Sequence, residues 1–188
     1  MFRQWIVDDS LGPYNSFGNG AAMRVSAAGL LGVDLASALF LADRITAITH
    51  DHPEGMKGAR ATVTAICLAR AAESADRIRA RVARSFDYDM ERTVDDIRPG
   101  YVFDVSCQGT VPEALICALE ATDFEDAIRN AISIGGDSDT LASIAGGVAE
   151  ARFGIPEAIA AEALRRLPQE MVDVVEEAYR RAGGIGVA

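Results

Sequence analysis

Apolar residues recur every three to four positions through most of the chain, a spacing typical of amphipathic α-helices. In the clearest stretches the apolar side chains share one helical face: Leu35, Leu39, Ala42, Ile45 and Ile48; Ala59, Val63, Ile66, Cys67 and Ala71; and Leu141, Ile144, Ala145, Val148 and Ala149. Most side chains of the second set are small, which permits close packing between helices. The pattern therefore predicts a core built from helices.

Glycines, prolines and capping residues divide the chain into eight or nine predicted helices. We expect them over residues 21–31, 35–49, 55–72, 76–86, 110–121, 124–134 and 140–153, with two more opening at Pro156 and Pro168 and the last ending at Gly183-Gly184. Strand-like alternation is confined to Tyr101–Val105, which we interpret as an extended loop, since one short strand cannot form a sheet. The prediction is a single, compact all-α domain over residues 1–188.

Composition narrows the possible functions. The net charge of −10 argues against a nucleic-acid partner, because binding a phosphate backbone requires a basic face. No apolar run is long enough to span a membrane, so no membrane partner is expected. The three cysteines, Cys67, Cys107 and Cys117, show neither a disulfide framework nor zinc-site spacing, and the N-terminus has no apolar signal segment. These features favour a cytoplasmic protein.

The stretch Ser133–Leu141 carries the densest group of oxygen side chains. Asp137, Ser138, Asp139 and Thr140 follow a Gly135-Gly136 pair and precede an apolar helical pattern. One interpretation is a capping turn, with Ser138 or Asp139 as N-cap. The other is a site for a hard divalent cation, because Mg²⁺ and Ca²⁺ prefer oxygen ligands. The spacing alone leaves both interpretations open.

Three further stretches are candidates for chemistry. The Gly18-Asn19-Gly20 loop opens a predicted helix and could expose backbone N–H groups to an anion, although on its own it is better explained as a plain turn into a helix. Thr49–His52 contains both histidines of the chain, which could bind a metal, hold a substrate hydroxyl or cap a helix. Gln108–Glu113 fits a helix start with Thr110 as the cap of a capping box.

Taken together and in order, these motifs resemble the ADP-ribosylglycohydrolase family. The similarity consists of Ser16-Phe-Gly-Asn-Gly-Ala-Ala-Met-Arg-Val25, Thr49-His50 before Pro53-Glu54, Gly109-Thr-Val-Pro112, and Gly135-Gly-Asp-Ser-Asp-Thr-Leu-Ala142 with Ile144-Ala-Gly146. It extends from about residue 2 to about residue 181. The order of four separate motifs is far more specific than any one of them.

The resemblance implies a multi-helix orthogonal bundle and a cleft that holds ADP-ribose beside two Mg²⁺ or Mn²⁺ ions. The metal-binding residues it implies are Asp137, Asp139 and Thr140. The substrate-binding residues it implies are Ser16, Phe17, Gly18, Asn19, Gly20, Met23, Arg24, His50, Gly135 and Ser138. The implied reaction is hydrolysis of the glycosidic bond of ADP-ribosylated protein or a related ADP-ribose compound. It assigns no catalytic acid or base to this sequence.

The sequence also departs from the family pattern. Family members carry a preceding segment with an acidic residue near the reacting ribose and a Thr-Asp-Asp-Thr metal motif. Val7-Asp8-Asp9-Ser10 only superficially resembles that motif, and we interpret Asp8 and Asp9 as loop residues. We therefore expect an N-terminally shortened fold with one metal ion rather than two, completed by a homo-oligomer or a partner chain. The alternative function is a catalytically impaired relative that binds ADP-ribose or a nucleotide, or acts as an interaction module.

Overall fold

The computed structural model describes residues 2–183, which form α-helices and no β-strand. The helices are α1 (Phe2–Val7), α2 (Gly20–Met23), α3 (Ser26–Leu31), α4 (Leu35–Thr46), α5 (Pro53–Arg70), α6 (Ala75–Phe86), α7 (Val94–Ile97), α8 (Cys107–Glu120), α9 (Phe124–Ser133), α10 (Ser138–Phe153), α11 (Glu157–Arg165) and α12 (Gln169–Arg181). The predicted all-α class is confirmed. Gly184, part of the predicted end of the last helix, lies outside the described residues.

Several helices begin where the sequence predicted a cap. Asp34 accepts a hydrogen bond from the Ser37 backbone N–H at 2.7 Å and starts α4, and Asp123 accepts one from Asp126 at 2.8 Å and starts α9. These bonds satisfy backbone donors that the helix itself leaves unpaired. The segment Tyr101–Val105 is extended and pairs with no strand, as expected.

Two predicted helix starts and one predicted helix are wrong. Helix α8 begins at Cys107, because Ser106 rather than Thr110 caps it, and Pro112 consequently lies inside the helix. Asp137 is the N-cap residue of α10, but its side chain makes no capping bond, so neither Ser138 nor Asp139 is the cap. The segment predicted as one helix over 21–31 is split into α2 and α3 around Arg24 and Val25.

Helices α5, α8 and α10 form the centre of the molecule. Helix α8 is buried from Thr110 to Leu119, and α10 packs against α5, α8 and α9. Small residues allow the close approach: a Cβ at Gly58 of α5 would lie 2.7 Å from the Cys107 Sγ of α8. A Cβ at Gly29 of α3 would lie 2.7 Å from the Ile66 side chain of α5. Side chains of the neighbouring helix therefore pack directly onto the backbone at these glycines, where any larger residue would push the helices apart.

Large apolar side chains also remain on the surface. Val33 is 93% exposed, Val102 73% and Phe103 68%, and the short helix α1 exposes Phe2 and Ile6. Such patches are common at contact surfaces, but the predicted oligomer or partner chain stays a prediction. Among the helices of residues 2–183, none is both long and apolar enough to cross a membrane.

Replacing Gly58 by Ala should destabilise the fold. The new methyl group would collide with both the Sγ and the Cβ of Cys107, at 2.7 and 2.8 Å, inside the α5–α8 contact. We expect a loss of about 1–3 kcal/mol in the free energy of unfolding, as is usual for overpacked cores. Denaturant unfolding would measure it. Gly100→Ala is the matched control, because a Cβ there meets nothing within 4 Å. Equal stability of the two variants would contradict the packing argument.

Candidate functional site

Three loops that are distant in sequence come together in front of the central helices. Gly18 forms an isolated antiparallel bridge with Ser106. On one side of the bridge the Asn19 N–H donates to the Val105 carbonyl at 2.7 Å, and on the other the Cys107 N–H donates to the Phe17 carbonyl at 2.9 Å. These bonds attach the Gly-Asn-Gly loop to the segment that precedes α8.

Asn19 connects this loop to the Asp137 turn. Its Nδ2 donates to Asp137 Oδ2 at 2.6 Å and to Thr110 Oγ1 at 3.1 Å, and the residue is only 7% exposed. The contact spans 118 positions of sequence. A short bond from an amide to a carboxylate in a buried setting is strong, and it fixes the orientation of both side chains. Asn19 therefore joins two of the sequence-predicted motifs.

The N-termini of several helices converge at this place. His52 is the N-cap of α5, Ser106 of α8 and Asp137 of α10, and these helices have 18, 14 and 16 residues. A helix N-terminus carries a partial positive charge and unpaired backbone N–H groups. Their convergence makes the region attractive to an anion although the whole chain is acidic.

The turn before α10 requires its two glycines. Gly135 and Gly136 have φ values of +80° and +65°, in the left-handed region that favours glycine. At Gly136 a Cβ would also lie 2.5 Å from the Tyr101 ring. The turn thus brings Asp137 and Asp139 to the start of α10 with the Tyr101 ring packed beneath them.

The predicted metal residues offer hard oxygen ligands. Asp137 is half-buried and has one oxygen bound to Asn19, while Asp139 is exposed and its Oδ1 accepts the Thr140 N–H at 2.9 Å. The Thr140 hydroxyl lies 3.7 Å from the Met23 sulfur. Within residues 2–183 no group of three His, Cys, Asp or Glu residues is placed to hold a metal. The donor type fits a hard divalent cation, but the described chain supplies too few ligands to enclose one.

His50 lies beneath the glycine loop as a neutral imidazole. Burial, reinforced by the charge of Arg24, lowers the pKa of His50 to about 4. Its Nδ1 is 3.2 Å from Arg24 Nη2 and 2.7 Å from the Thr49 hydroxyl. Because a guanidinium can only donate, we assign Nδ1 as the acceptor and place the proton on Nε2. A Cβ at Gly18 or Gly20 would lie 3.4 or 3.5 Å from Nε2, so this N–H points at the loop.

The other residues near this loop have separate roles. The Nδ1 of His52 accepts the Glu54 N–H at 3.1 Å, so His52 acts as the N-cap of α5. Phe17 is half exposed and meets the His52 ring edge-on, with ring centroids 5.4 Å apart. The Ser16 hydroxyl accepts the Gly18 N–H at 3.2 Å. Asp8 accepts a hydrogen bond from the Ser10 N–H within its own turn.

Sequence reasoning missed Tyr101 and Asp104, and treated Thr110 only as a cap. The Asp104 carbonyl accepts from the Thr110 hydroxyl at 3.1 Å and lies 3.5 Å from Asn19 Nδ2, so both residues border the site. The only sign of these residues in the sequence was the alternation of polar and aromatic side chains in the Tyr101–Val105 loop. That alternation does not indicate which side chains face the site.

Comparisons with known proteins bear on the family and the fold of the chain. The family model described as ADP-ribosylglycohydrolase matches residues 2–185. An uncharacterized protein of Archaeoglobus fulgidus is 29% identical over 157 residues, covering 73% of this chain and 50% of that protein. A solved structure titled "ADP-ribosylglycohydrolase-related protein complex" is 25% identical with a TM-score of 0.69, covering 91% of this chain and 62% of that one.

The chain thus spans half the length of the curated relative and 62% of the matched structure. The similarity to the matched structure therefore includes the packing of the helices as well as the four short sequence motifs. Because the family model covers nearly all the described residues, the chain belongs to the ADP-ribosylglycohydrolase family.

Proposed function

We propose that this chain binds the ADP-ribose part of an ADP-ribosylated protein, or of a related compound, and takes part in hydrolysing its glycosidic bond. The observation that carries the proposal is the part-buried Asn19–Asp137 hydrogen bond of 2.6 Å. It holds the anion-binding loop and the carboxylate turn in one site. With the two side by side, a diphosphate could bind on the loop side while a cation and sugar hydroxyls are held on the carboxylate side.

The anion-binding side of the site would receive the diphosphate. The N-termini of α5 and α8 provide positive potential. Within the loop over residues 16–20 the N–H groups of Gly18 and Asn19 are already bound, so the donors that the loop would offer are those of Phe17 and Gly20. Phe17 offers an exposed aromatic ring at the edge of the loop. The neutral His50 would donate from Nε2 to an oxygen of the ligand without adding a charge.

The carboxylate side would hold Mg²⁺ or Mn²⁺ through Asp137, Asp139 and Thr140. A divalent cation there would supply positive charge that orients the sugar hydroxyls and activates water. Asn19 would keep Asp137 correctly oriented, because its amide N–H donates to one oxygen of the carboxylate. We propose one ion for this chain, with further ligands from water or from a second chain.

The remaining carboxylates required for the reaction would come from a partner chain or a second copy. Glycosidic cleavage normally uses a pair of carboxyl groups on either side of the scissile bond. The specific observation that favours the second candidate function, binding without turnover, is that the described residues contain no group of three His, Cys, Asp or Glu side chains placed to hold a metal. The two functions differ in turnover and share ADP-ribose binding.

Replacing Asn19 by Ala should weaken ADP-ribose binding at least about tenfold, since a charge-assisted hydrogen bond contributes about 1.5–3 kcal/mol. The cause is loss of the bond that holds the loop against Asp137. Calorimetry with ADP-ribose and Mg²⁺ would measure the affinity. Asn130→Ala, which removes an amide on α9 outside the site, should bind as the unmodified chain does. Equal affinity of both variants would overturn the role given to Asn19.

Replacing Asp139 by Asn should abolish or strongly reduce Mg²⁺-dependent release of ADP-ribose from modified protein. Mutating a residue that only supports a metal ligand typically lowers metal affinity or activity about 10–100-fold. Loss of a ligand itself should therefore lower the activity at least as much. Asp87→Asn is the control, because Asp87 is exposed and Asn also tolerates its φ of +53°. Turnover that survives in Asp139→Asn would exclude a metal role for this residue. Binding without turnover in the unmodified chain would establish the second candidate function.

His50 should titrate with a pKa of about 4, far below its usual 6.5. Because the folded pKa lies below the unfolded one, the contribution of His50 to stability should be constant above pH 6.5 and fall as the pH drops towards 4. NMR of the imidazole proton in a His52→Gln variant isolates the signal of His50. Arg24→Gln should raise the midpoint of the His50 titration only part of the way to 6.5, since burial is the larger cause of the lowered pKa. A midpoint at or above 6.5 would refute the neutral assignment.

A further inference from the structure

A large cavity lies at the end of the central helices opposite the candidate site. We call it the Arg70 cavity; its volume is about 630 Å³, within the usual range of small-molecule sites, and its charged lining residues are Asp34, Arg70 and Glu150. The last residues of α3, α5 and α10 form it, together with the loop that leads into α4. Helices α5 and α10, with 18 and 16 residues, begin at the candidate site and end here, about 27 and 24 Å further along their axes. The two sites are therefore separate.

Arg70 offers an unused edge of its guanidinium at the wall of this cavity. Its Nη1 donates to the Gly29 and Gly32 carbonyls at 2.8 and 3.1 Å, and Gly32 itself lines the cavity. Its Nε and Nη2 have no acceptor among the described residues, and they are not among the unpaired atoms that are shut off from solvent. These two nitrogens form the fork that binds both oxygens of a carboxylate. Arg60, on the same helix, has this fork filled by Asp43 at 2.7 and 2.8 Å, whereas the fork of Arg70 is open to a ligand.

Glu150 is the second half-buried charged group of the cavity that lacks a charged partner among the described residues. One carboxylate oxygen, Oε1, accepts a hydrogen bond from the Tyr179 hydroxyl. The other, Oε2, has no donor in the described chain and, unlike the unpaired oxygen of Glu113, it is not shut off from solvent. Burial raises the pKa of Glu150, and the bond from Tyr179 opposes this shift. An ammonium group in the cavity would supply both a donor and a positive charge.

These two groups together indicate a ligand that carries both charges. Arg70 and Glu150 line one cavity, yet in the described structure they do not pair with each other. Half-buried charges gain more from a partner than exposed ones do, because water screens them less. Asp34, the third charged lining residue, is exposed and already accepts from the Ser37 N–H as the cap of α4. The remaining wall is largely apolar and includes Leu30, Leu35 and Leu68.

We propose that the Arg70 cavity binds a small amino acid with an apolar side chain. Its carboxylate would pair with the fork of Arg70, its ammonium group with Glu150, and its side chain would lie against the leucines of the wall. The cavity shares no lining residue with the candidate site. Binding of the amino acid therefore does not depend on the proposed function.

A purely structural role for both residues is the competing explanation. Arg70 caps the carbonyls at the end of α3, as arginine often does at a helix C-terminus, and Glu150 holds α12 through Tyr179. Such roles predict that both residues matter for stability and that no amino acid binds. The experiment therefore has to measure binding and stability separately.

The test is an NMR titration of the full chain with leucine, N-acetylleucine and leucinamide, without ADP-ribose or Mg²⁺. N-acetylleucine keeps the carboxylate but has no ammonium group, whereas leucinamide keeps the ammonium group but has no carboxylate. We expect leucine to shift the resonances of the lining residues and each derivative to bind at least about tenfold more weakly. Failure of leucine to bind, or equal binding of either derivative, would overturn the proposal.

Variants of the two charged residues test their separate roles. Arg70→Lys should weaken leucine binding at least about tenfold, because lysine keeps the charge but has no fork. Arg84→Lys is the matched control at an exposed arginine of α6 outside the lining, and it should bind leucine as the unmodified chain does. Glu150→Gln can still accept from Tyr179 but has lost its charge. It should lower the affinity for leucine and leave the affinity for N-acetylleucine unchanged.

A third variant keeps the proposal testable if those substitutions prevent folding. Ala71 is exposed and lines the cavity, so Ala71→Trp should obstruct the cavity and abolish leucine binding without disturbing the core. Denaturant unfolding of every variant measures the structural roles independently of binding. Unchanged leucine affinity in the variants that fold would overturn the proposal. Because ADP-ribose is absent, these outcomes leave the proposed function untouched.

Discussion

The starts of helices α5, α8 and α10 meet around Asn19, and the rest of the site depends on this meeting. Each helix directs its unpaired N–H groups and the positive end of its dipole to the same region. The loops that precede them are held together by the Gly18–Ser106 bridge and by the bond from Asn19 to Asp137. The site is therefore a consequence of how the helices begin rather than of any single loop.

The helices can meet in this way because small residues line their contacts. Gly58 of α5 touches Cys107, the first residue of α8, and Gly55 lies against the Ser16 and His50 carbonyls. These glycines lie within the first two turns of α5, close to the loops of the site. A larger side chain at either position would displace the start of a helix. The same residues therefore determine both the packing of the helices and the geometry of the candidate site.

The sequence was sufficient for features set by local chemistry. Asp34 and Asp123 cap helices because their carboxylates reach backbone donors three residues on, which spacing reveals. Thr110 has the same local pattern with Pro112 and Glu113, yet it is not a cap. Its hydroxyl instead donates to the Asp104 carbonyl, while Glu113 pairs with Arg92.

The site, too, combines features that follow from local sequence with features that only tertiary packing produces. The motif residues Asn19 and Asp137 could be identified from the sequence, but their contact spans 118 positions and follows from tertiary packing alone. Tyr101 could not be identified, because the role of its ring depends on a glycine 35 positions later that has a positive φ. Sequence patterns report which residues are suited to a role. Only the folded structure shows which of these residues contact one another.

The charge arrangement of the site argues for a bound cation. The chain has a net charge of −10, and Asp137 and Asp139 lie next to a loop suited to an anion. A diphosphate brought to that loop would be repelled by both carboxylates. The N-terminal dipoles offset part of this repulsion, and His50 offsets none of it while it is neutral. A divalent cation between the carboxylates and the ligand would reverse the sign of the interaction, so ADP-ribose and metal should bind with positive coupling.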